Sequence, residues 1–165
     1  TPQEAAQATA TFVAQALDGK QYDNIVMHPH MATNAEYNAF LQSSEIFFAL
    51  SGGEGKGLPE LHATALGAWP IALRAHAYND FLYDTDGIMV EPIGKRPAAD
   101  GGFFPAADSG AQFNVGNFFD FSEDAFYDAC DEAEKRAATG INTAGLALQQ
   151  QTYAQTMDVL LKDLK

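Results

Sequence analysis

Apolar residues recur at helical spacing through PQEAAQATATFVAQAL, with Pro2 near a first helical position, and the pattern predicts a helix that DGKQYDN ends. Four short apolar bursts then replace that rhythm. NIVMHP, EIFFAL, WPIALR and GIMVEP are each of strand length and bounded by proline, glycine or polar residues. Helical segments separate them: TNAEYNAFLQ, whose capping-type opening precedes Tyr37, Phe40 and Leu41, then LPELHATALG, then the short NDFL. Strand and helix alternating at short intervals is how a parallel sheet covered by helices looks in sequence, so the expected fold is a three-layer α/β domain with a mostly parallel sheet.

The alternation lapses from Ile93 to Phe121. KRPAADGGFFPAADSGAQFNVGNFFDF is too rich in Gly, Pro and Asn to read as an element and too long for an ordinary connection, so a long functional loop is expected. SEDAFYDACDEAEKRAATG reads as the best-defined helix. Ser122 is placed to cap it, acidic residues fill its first turn, and Lys135 and Arg136 lie near its end, the charge order a helix dipole favours. LALQQQTYAQTMDVLLKDLK closes the chain as another amphipathic helix, with a break expected near Thr152. No repeat or composition shift marks a boundary, and residues 1–165 read as a single domain.

Composition narrows the partners more than the fold. A net charge of -13 would repel nucleic acid and anionic membrane surfaces, leaving an anionic ligand possible only at a locally built site. A single cysteine, Cys130, allows no intramolecular disulfide and sits among Asp128, Asp131 and Glu132, a setting that suits a buried structural thiol. No apolar run reaches membrane-spanning length and no signal-like opening is present, so a cytoplasmic protein is expected.

Chemistry concentrates in EGKGLPELHATALG, residues 54–67, between two expected strands. The loop leaving a strand of a parallel sheet opens at the edge where ligands bind, and glycines let a ligand approach the backbone there. With Pro59 set for the first helical turn, the amides around Gly57, Leu58, Glu60 and Leu61 would face outward from a positive helix end, a suitable place for a diphosphate. The plainer reading is that the glycines shape a tight turn and Glu54 is a solvated charge.

The order of pieces in LQSSEIFFALSGGEGKGLPELHATALGAWPIALRAHAYNDFLYDTDGIMVEP resembles the C-terminal, donor-binding half of GT-B glycosyltransferases, particularly the retaining, family 4-like group. A strand leads into an EGxGLP turn, a helix, a second strand, and a D-x-x-G-x-x-V-x-P segment, here DTDGIMVEP. The resemblance covers roughly residues 35–165, with residues 1–34 as a shortened lead-in. It implies a Rossmann-like domain that binds a nucleotide-diphosphate sugar as donor substrate. No cofactor and no obligatory metal would be needed, and an acceptor-binding domain or chain would complete the enzyme. The chain opens at Thr1 without a methionine, as a trimmed product or a partial gene would.

By the same resemblance Glu54 matches the family's first acidic residue, near the donor sugar hydroxyls, and Gly55, Lys56, Gly57 and Leu58 line the donor site. The family's second acidic residue, which holds the ribose, is replaced by His62. An Arg and a Lys that grip the phosphates have no convincing counterpart, the nearest basic residues being Lys56, Arg74, Lys95 and Arg96; Arg74, ending a strand, is the preferred phosphate contact.

Two other motifs invite different chemistry. MHPH places His28 and His30 on one face of an expected strand, either as cleft or surface residues, with His30 included among the substrate contacts, or as the start of a metal site whose other ligands are not identifiable. His76 could edge the same cleft. FLYDTDGIMVE resembles the first motif of haloacid-dehalogenase-type phosphatases, with Asp84 as nucleophile and Asp86 as acid/base; as a turn, the same residues would only supply backbone geometry ahead of a strand. The sequence thus supports a glycosyltransferase-like donor domain first, a noncatalytic sugar- or nucleotide-binding module second, and a phosphatase third.

Overall fold

The computed structural model of the chain describes residues 2–28, 31–98, 116–150 and 162. Two compact units emerge, Thr1–Tyr37 and Asn38–Lys165.

In the first unit, helix α1 (Pro2–Ala16) occupies the opening amphipathic run. The expected strand NIVMHP is absent: described residues 24–28 are irregular, and Val26 is 72% exposed. A β-branched run becomes a strand only where another strand supplies its hydrogen bonds and a packed face, and here Ile25 instead closes a turn through its amide to the Tyr22 carbonyl, at 3.2 Å. Helix α2 (Asn34–Gln42) begins with a capping box. Glu36 N donates to Thr33 Oγ1 at 3.2 Å, and Glu36 Oε2 accepts from Thr33 N at 3.0 Å.

The second unit carries the α/β core. Strands β1 (Ile46–Ala49), β2 (Trp69–Leu73) and β3 (Ile88–Val90) form a parallel sheet in that spatial order, in register Ile46↔Trp69 and Ile71↔Ile88. Helix α3 (Leu58–Ala65) connects β1 to β2, and a short 3₁₀ helix, His76–Asp80, begins the connection to β3. Pro70, Ile71, Ala72 and Leu73 are all buried, the continuous apolar run a strand covered on both faces requires. Helix α3 and helix α4 (Glu123–Ala137) both pack on β2, α3 through Ala63 and Thr64 and α4 through Ala129 and Ala133. Ser122 caps α4 as its sequence implies, accepting from Ala125 N at 3.0 Å. Cys130 is half-buried in α4, and burial, with Glu134 and Asp131 adding, raises its thiol pKa.

The stretch read as one long loop contains two strands. β4 (Gly94–Pro97) and β5 (Asn117–Asp120) pair antiparallel, and Phe119 N donates to the Gly52 carbonyl at 2.8 Å, fixing this ribbon to the loop after β1. Its partners are distant in sequence, so local composition gave no sign of it. Residues 99–115 between these strands lie outside the described residues.

Residues 143–150 are helical (α5), and the remainder of the expected closing helix, with the break near Thr152, falls outside the described residues apart from Lys162. Asn142, fully buried just before α5, donates from Nδ2 to the Ala68 carbonyl at 3.0 Å and the Asp86 carbonyl at 2.7 Å, while its Oδ1 accepts from Gly145 N at 2.9 Å. Gly145 is needed for close approach, because a Cβ there would stand 2.5 Å from the Thr64 carbonyl oxygen of α3. No described helix is long and apolar enough to cross a membrane.

Candidate functional site

The three parallel strands all end on one edge of the sheet, and the segments leaving them there are Ser51–Gly57 after β1, Arg74–His76 after β2 and Glu91 after β3. This is the edge where ligands of open α/β sheets bind. The glycine turn lies on it, as the sequence implies, and α3 starts directly behind it with Pro59 in its first turn.

Glu54 organises the turn. Its Oε1 accepts from the amides of Gly55 at 3.1 Å, Lys56 at 3.4 Å and Gly57 at 3.1 Å, so the concavity these amides make is already filled by a carboxylate. Leu61 N donates to the Gly57 carbonyl at 2.9 Å inside the helix. Of the amides anticipated at the helix start, those of Leu58 and Glu60 therefore remain for an approaching anion.

Gly57 must be glycine on two counts. Its φ of 69° lies in the left-handed region, and a Cβ there would stand 2.7 Å from Tyr78 Cε1. Gly57→Ala is expected to cost about 2–4 kcal/mol, from left-handed strain and overpacking together; a denaturation midpoint within about 0.5 kcal/mol of the parent would show that the turn relaxes freely.

Tyr78 is fully buried beneath the turn and donates its hydroxyl to Glu60 Oε1 at 3.1 Å. Burial, followed by the Glu60 charge, pushes its pKa well above the ordinary tyrosine value. The His76 ring lies 5.5 Å from the ring of Tyr78 and 5.2 Å from that of Phe119 in the ribbon. Burial lowers the His76 pKa, with Glu54 partly opposing, so the imidazole is neutral at pH 7.

The other residues marked in the sequence are dispersed. Lys56 is exposed, its Nζ 5.8 Å from the Phe81 ring centroid, and Leu58 and His62 are exposed on α3. Arg74 ends β2 on the ligand edge, but its guanidinium is held by Asp84 and Glu91, which also raise its pKa. Its charge is therefore already matched. Lys95 and Arg96 lie on β4; Arg96 pairs with Asp120 at 3.2 Å and sits 5.0 Å from the Phe118 ring centroid. His28 is exposed in the first unit, off any strand, and His30 lies outside the described residues.

In DTDG the turn reading matches the geometry. Asp86 is buried and accepts from Tyr83 N at 2.6 Å through Oδ1, Gly87 N closes the turn on the Tyr83 carbonyl at 2.9 Å, and Asp84 is engaged by Arg74. Burial raises the Asp86 pKa. Among the described residues no group of three or more His, Cys, Asp and Glu is arranged to hold a metal ion.

Sequence reasoning passed over Glu60 and Tyr78. The available signal was Glu60 on the same helical face as Ala63 and Thr64, which would bury a carboxylate and require it to find a donor.

No family model matches the chain, and no solved structure does. A stretch of 50 residues is 48% identical to part of "Putative glycosyltransferase 41" from Sulfolobus islandicus filamentous virus (isolate Iceland/Hveragerdi). The match takes in 30% of this chain and 14% of that relative, so the chain spans a small part of the length of the protein it resembles.

Proposed function

We propose that the chain is a glycosyltransferase-like domain that binds a nucleotide-diphosphate sugar at the ligand edge of its parallel sheet, as half of a sugar-transfer enzyme. The observation that carries this reading is the 48% identity over 50 residues with a protein bearing a glycosyltransferase name. The parallel sheet, with a glycine turn and a helix start at its ligand edge, gives such a donor a place to bind.

In this reading the diphosphate meets the amides of Leu58 and Glu60, where the positive end of α3 favours an anion. Glu54 keeps one oxygen on the turn amides and offers the other to a donor sugar hydroxyl. Because Arg74 is matched by two carboxylates, basic contacts to the phosphates fall to Lys56 and to Lys95 and Arg96 of the ribbon. The exposed Arg96–Asp120 pair contributes little to stability and can be exchanged for a phosphate at small cost. Stabilising the leaving diphosphate is the helix end's contribution to transfer, which needs no metal and proceeds with retention if the retaining group is the right relative.

Weak binding is expected, on the order of -5 kcal/mol, which corresponds to a dissociation constant in the high micromolar range. Calorimetry against a panel of uridine-, guanosine- and adenosine-diphosphate sugars should show saturation for at least one, weakened by Glu54→Ala and less so by Glu54→Gln, which keeps an acceptor for the turn amides. A panel without saturable binding at millimolar concentration rejects the reading.

A further inference from the structure

The parallel sheet is open along β1. Strand order places β1 at one edge and β3 at the other, and the Glu45 carbonyl accepts from Trp69 N at 2.8 Å. Backbone groups alternate sides along a strand, so this bond and the register Ile46↔Trp69 turn Glu45, Phe47 and Ala49 toward β2. The N–H and C=O of Ile46 and Phe48 then face outward, and no described residue takes them.

A row of unpaired donors and acceptors on an apolar strand is a template for another strand, and sheets that must stay unjoined blunt such an edge with charge, proline or shortness. The two edges of this sheet differ in that respect. At β3 only Met89 faces outward, since the Val90 carbonyl accepts from Arg74 N at 2.8 Å, and Glu91 and Pro92 follow at once. From Ile46 to Leu50 there is no charge, no proline and no glycine, and Phe48 is 58% exposed. Strands of parallel sheets are covered on both faces, as β2 is, and β1 falls short of that on its outer side.

The surface beside this edge is aromatic. The Phe48 ring lies 5.7 Å from that of Phe126 in α4, and the next residue, Tyr127, is 61% exposed. A contiguous exposed apolar patch of this kind belongs to an interaction surface. Glu123 and Asp124 open α4, and Glu123 stands one turn before Tyr127 on the same helical face. Negative charge therefore rims the aromatic patch.

These features select the partner. Outward amides and carbonyls at strand spacing are answered by another extended backbone, whereas a helix keeps its own backbone groups bonded internally. A second copy would bring its own α4, with six acidic residues against two basic, to the same rim, and like charges would oppose each other there. An apolar strand flanked by lysine or arginine satisfies both the edge and the rim.

We infer that β1 is a docking edge for an apolar strand with basic flanks, supplied from outside residues 1–165. The outward groups of Ile46 and Phe48 hold its backbone, and Phe48 and Tyr127 pack against its side chains. The open edge and its charges are features of the fold alone, independent of the donor-site reading.

Amide hydrogen exchange on the full chain reads the edge directly. The probe is a short peptide of alternating valine and threonine with lysine at each end, and its control is the same peptide with glutamate at each end. The lysine peptide should bind saturably and slow exchange at Ile46 and Phe48 about tenfold or more, with a smaller change at Phe47 and Ala49, which are already bonded to β2. The glutamate peptide should bind about tenfold more weakly. Phe48→Pro removes an outward N–H and leaves the β1–β2 ladder its donors, so it should abolish docking with a melting curve that matches the parent's. If that variant unfolds, Phe48→Lys, which puts a charge on the edge, carries the same expectation. Unchanged exchange at Ile46 and Phe48 in millimolar lysine peptide would overturn the inference, as would equal binding of the two peptides or parent-like affinity in the variant. A parent that sediments as a dimer, with Phe48→Pro a monomer, would give the edge to a second copy and overturn the stated partner. No nucleotide sugar enters the experiment, so its failure leaves the donor-site reading untouched.

Discussion

Asn142→Ala should cost about 4 kcal/mol of folding stability, enough to remove much of the 5–15 kcal/mol typical of a domain. The side chain is fully buried and ties α5 to the sheet through the carbonyls of Ala68 and Asp86 and the amide of Gly145. Truncation leaves a buried amide and two buried carbonyls without that partner, at about 1–3 kcal/mol for each one that water cannot reach. Chemical denaturation should show a lower midpoint at an unchanged slope, and thermal unfolding a fall of roughly 10–20 °C for a unit of this size. Asn142→Asp, which keeps the acceptor for Gly145 N but sets a buried carboxylate oxygen against the Ala68 and Asp86 carbonyls, should cost at least as much as alanine. A loss under about 1 kcal/mol for the alanine variant would mean that the network does not hold α5 in place.

Asn142 also shows what local patterns conceal. Its neighbourhood, TGINTAG, reads as a turn ahead of a helix, and nothing in it names the carbonyls 74 and 56 residues away that its amide reaches. Where structure depends on local rules the sequence was readable: Ser122 caps α4, Pro59 sits in the first turn of α3, and the apolar runs at Ile46, Trp69 and Ile88 became parallel strands. Where it depends on distant partners the reading failed in both directions. The run at Ile25 found no strand to pair with and stayed irregular, while the glycine- and proline-rich stretch near Gly94 and Asn117 made a ribbon because its two ends met. The site divides along the same line. The glycine turn was visible as a motif, but the capture of its amides by Glu54, the pairing of Arg74 with Asp84 and Glu91, and the burial of Glu60 against Tyr78 are consequences of packing.

Incubated alone with a nucleotide sugar and an acceptor alcohol, the 165-residue chain should show no multiple-turnover transfer. Catalysis requires the attacking hydroxyl to be aligned with the donor, and alignment of two reactants accounts for about 7–11 kcal/mol of barrier lowering in well-ordered systems, a rate factor of roughly 10⁵–10⁸. The residues proposed for the donor come from the loop after β1, the start of α3 and the β4–β5 ribbon. None of them is assigned to an acceptor, and the relative that carries the glycosyltransferase name is a longer protein, of which the match covers 14%. Adding the acceptor-binding partner should restore transfer, whereas a noncatalytic module would bind donor equally well and gain nothing from that addition. Sustained glycosylation by the chain alone would overturn the half-enzyme reading. Hydrolysis of a phosphate ester with Mg²⁺, lost in Asp84→Asn, would instead favour the phosphatase. The geometry weighs against that outcome: Asp84 is committed to Arg74, and Asp86, the would-be acid/base, is buried and spends Oδ1 on the Tyr83 amide that shapes its own turn.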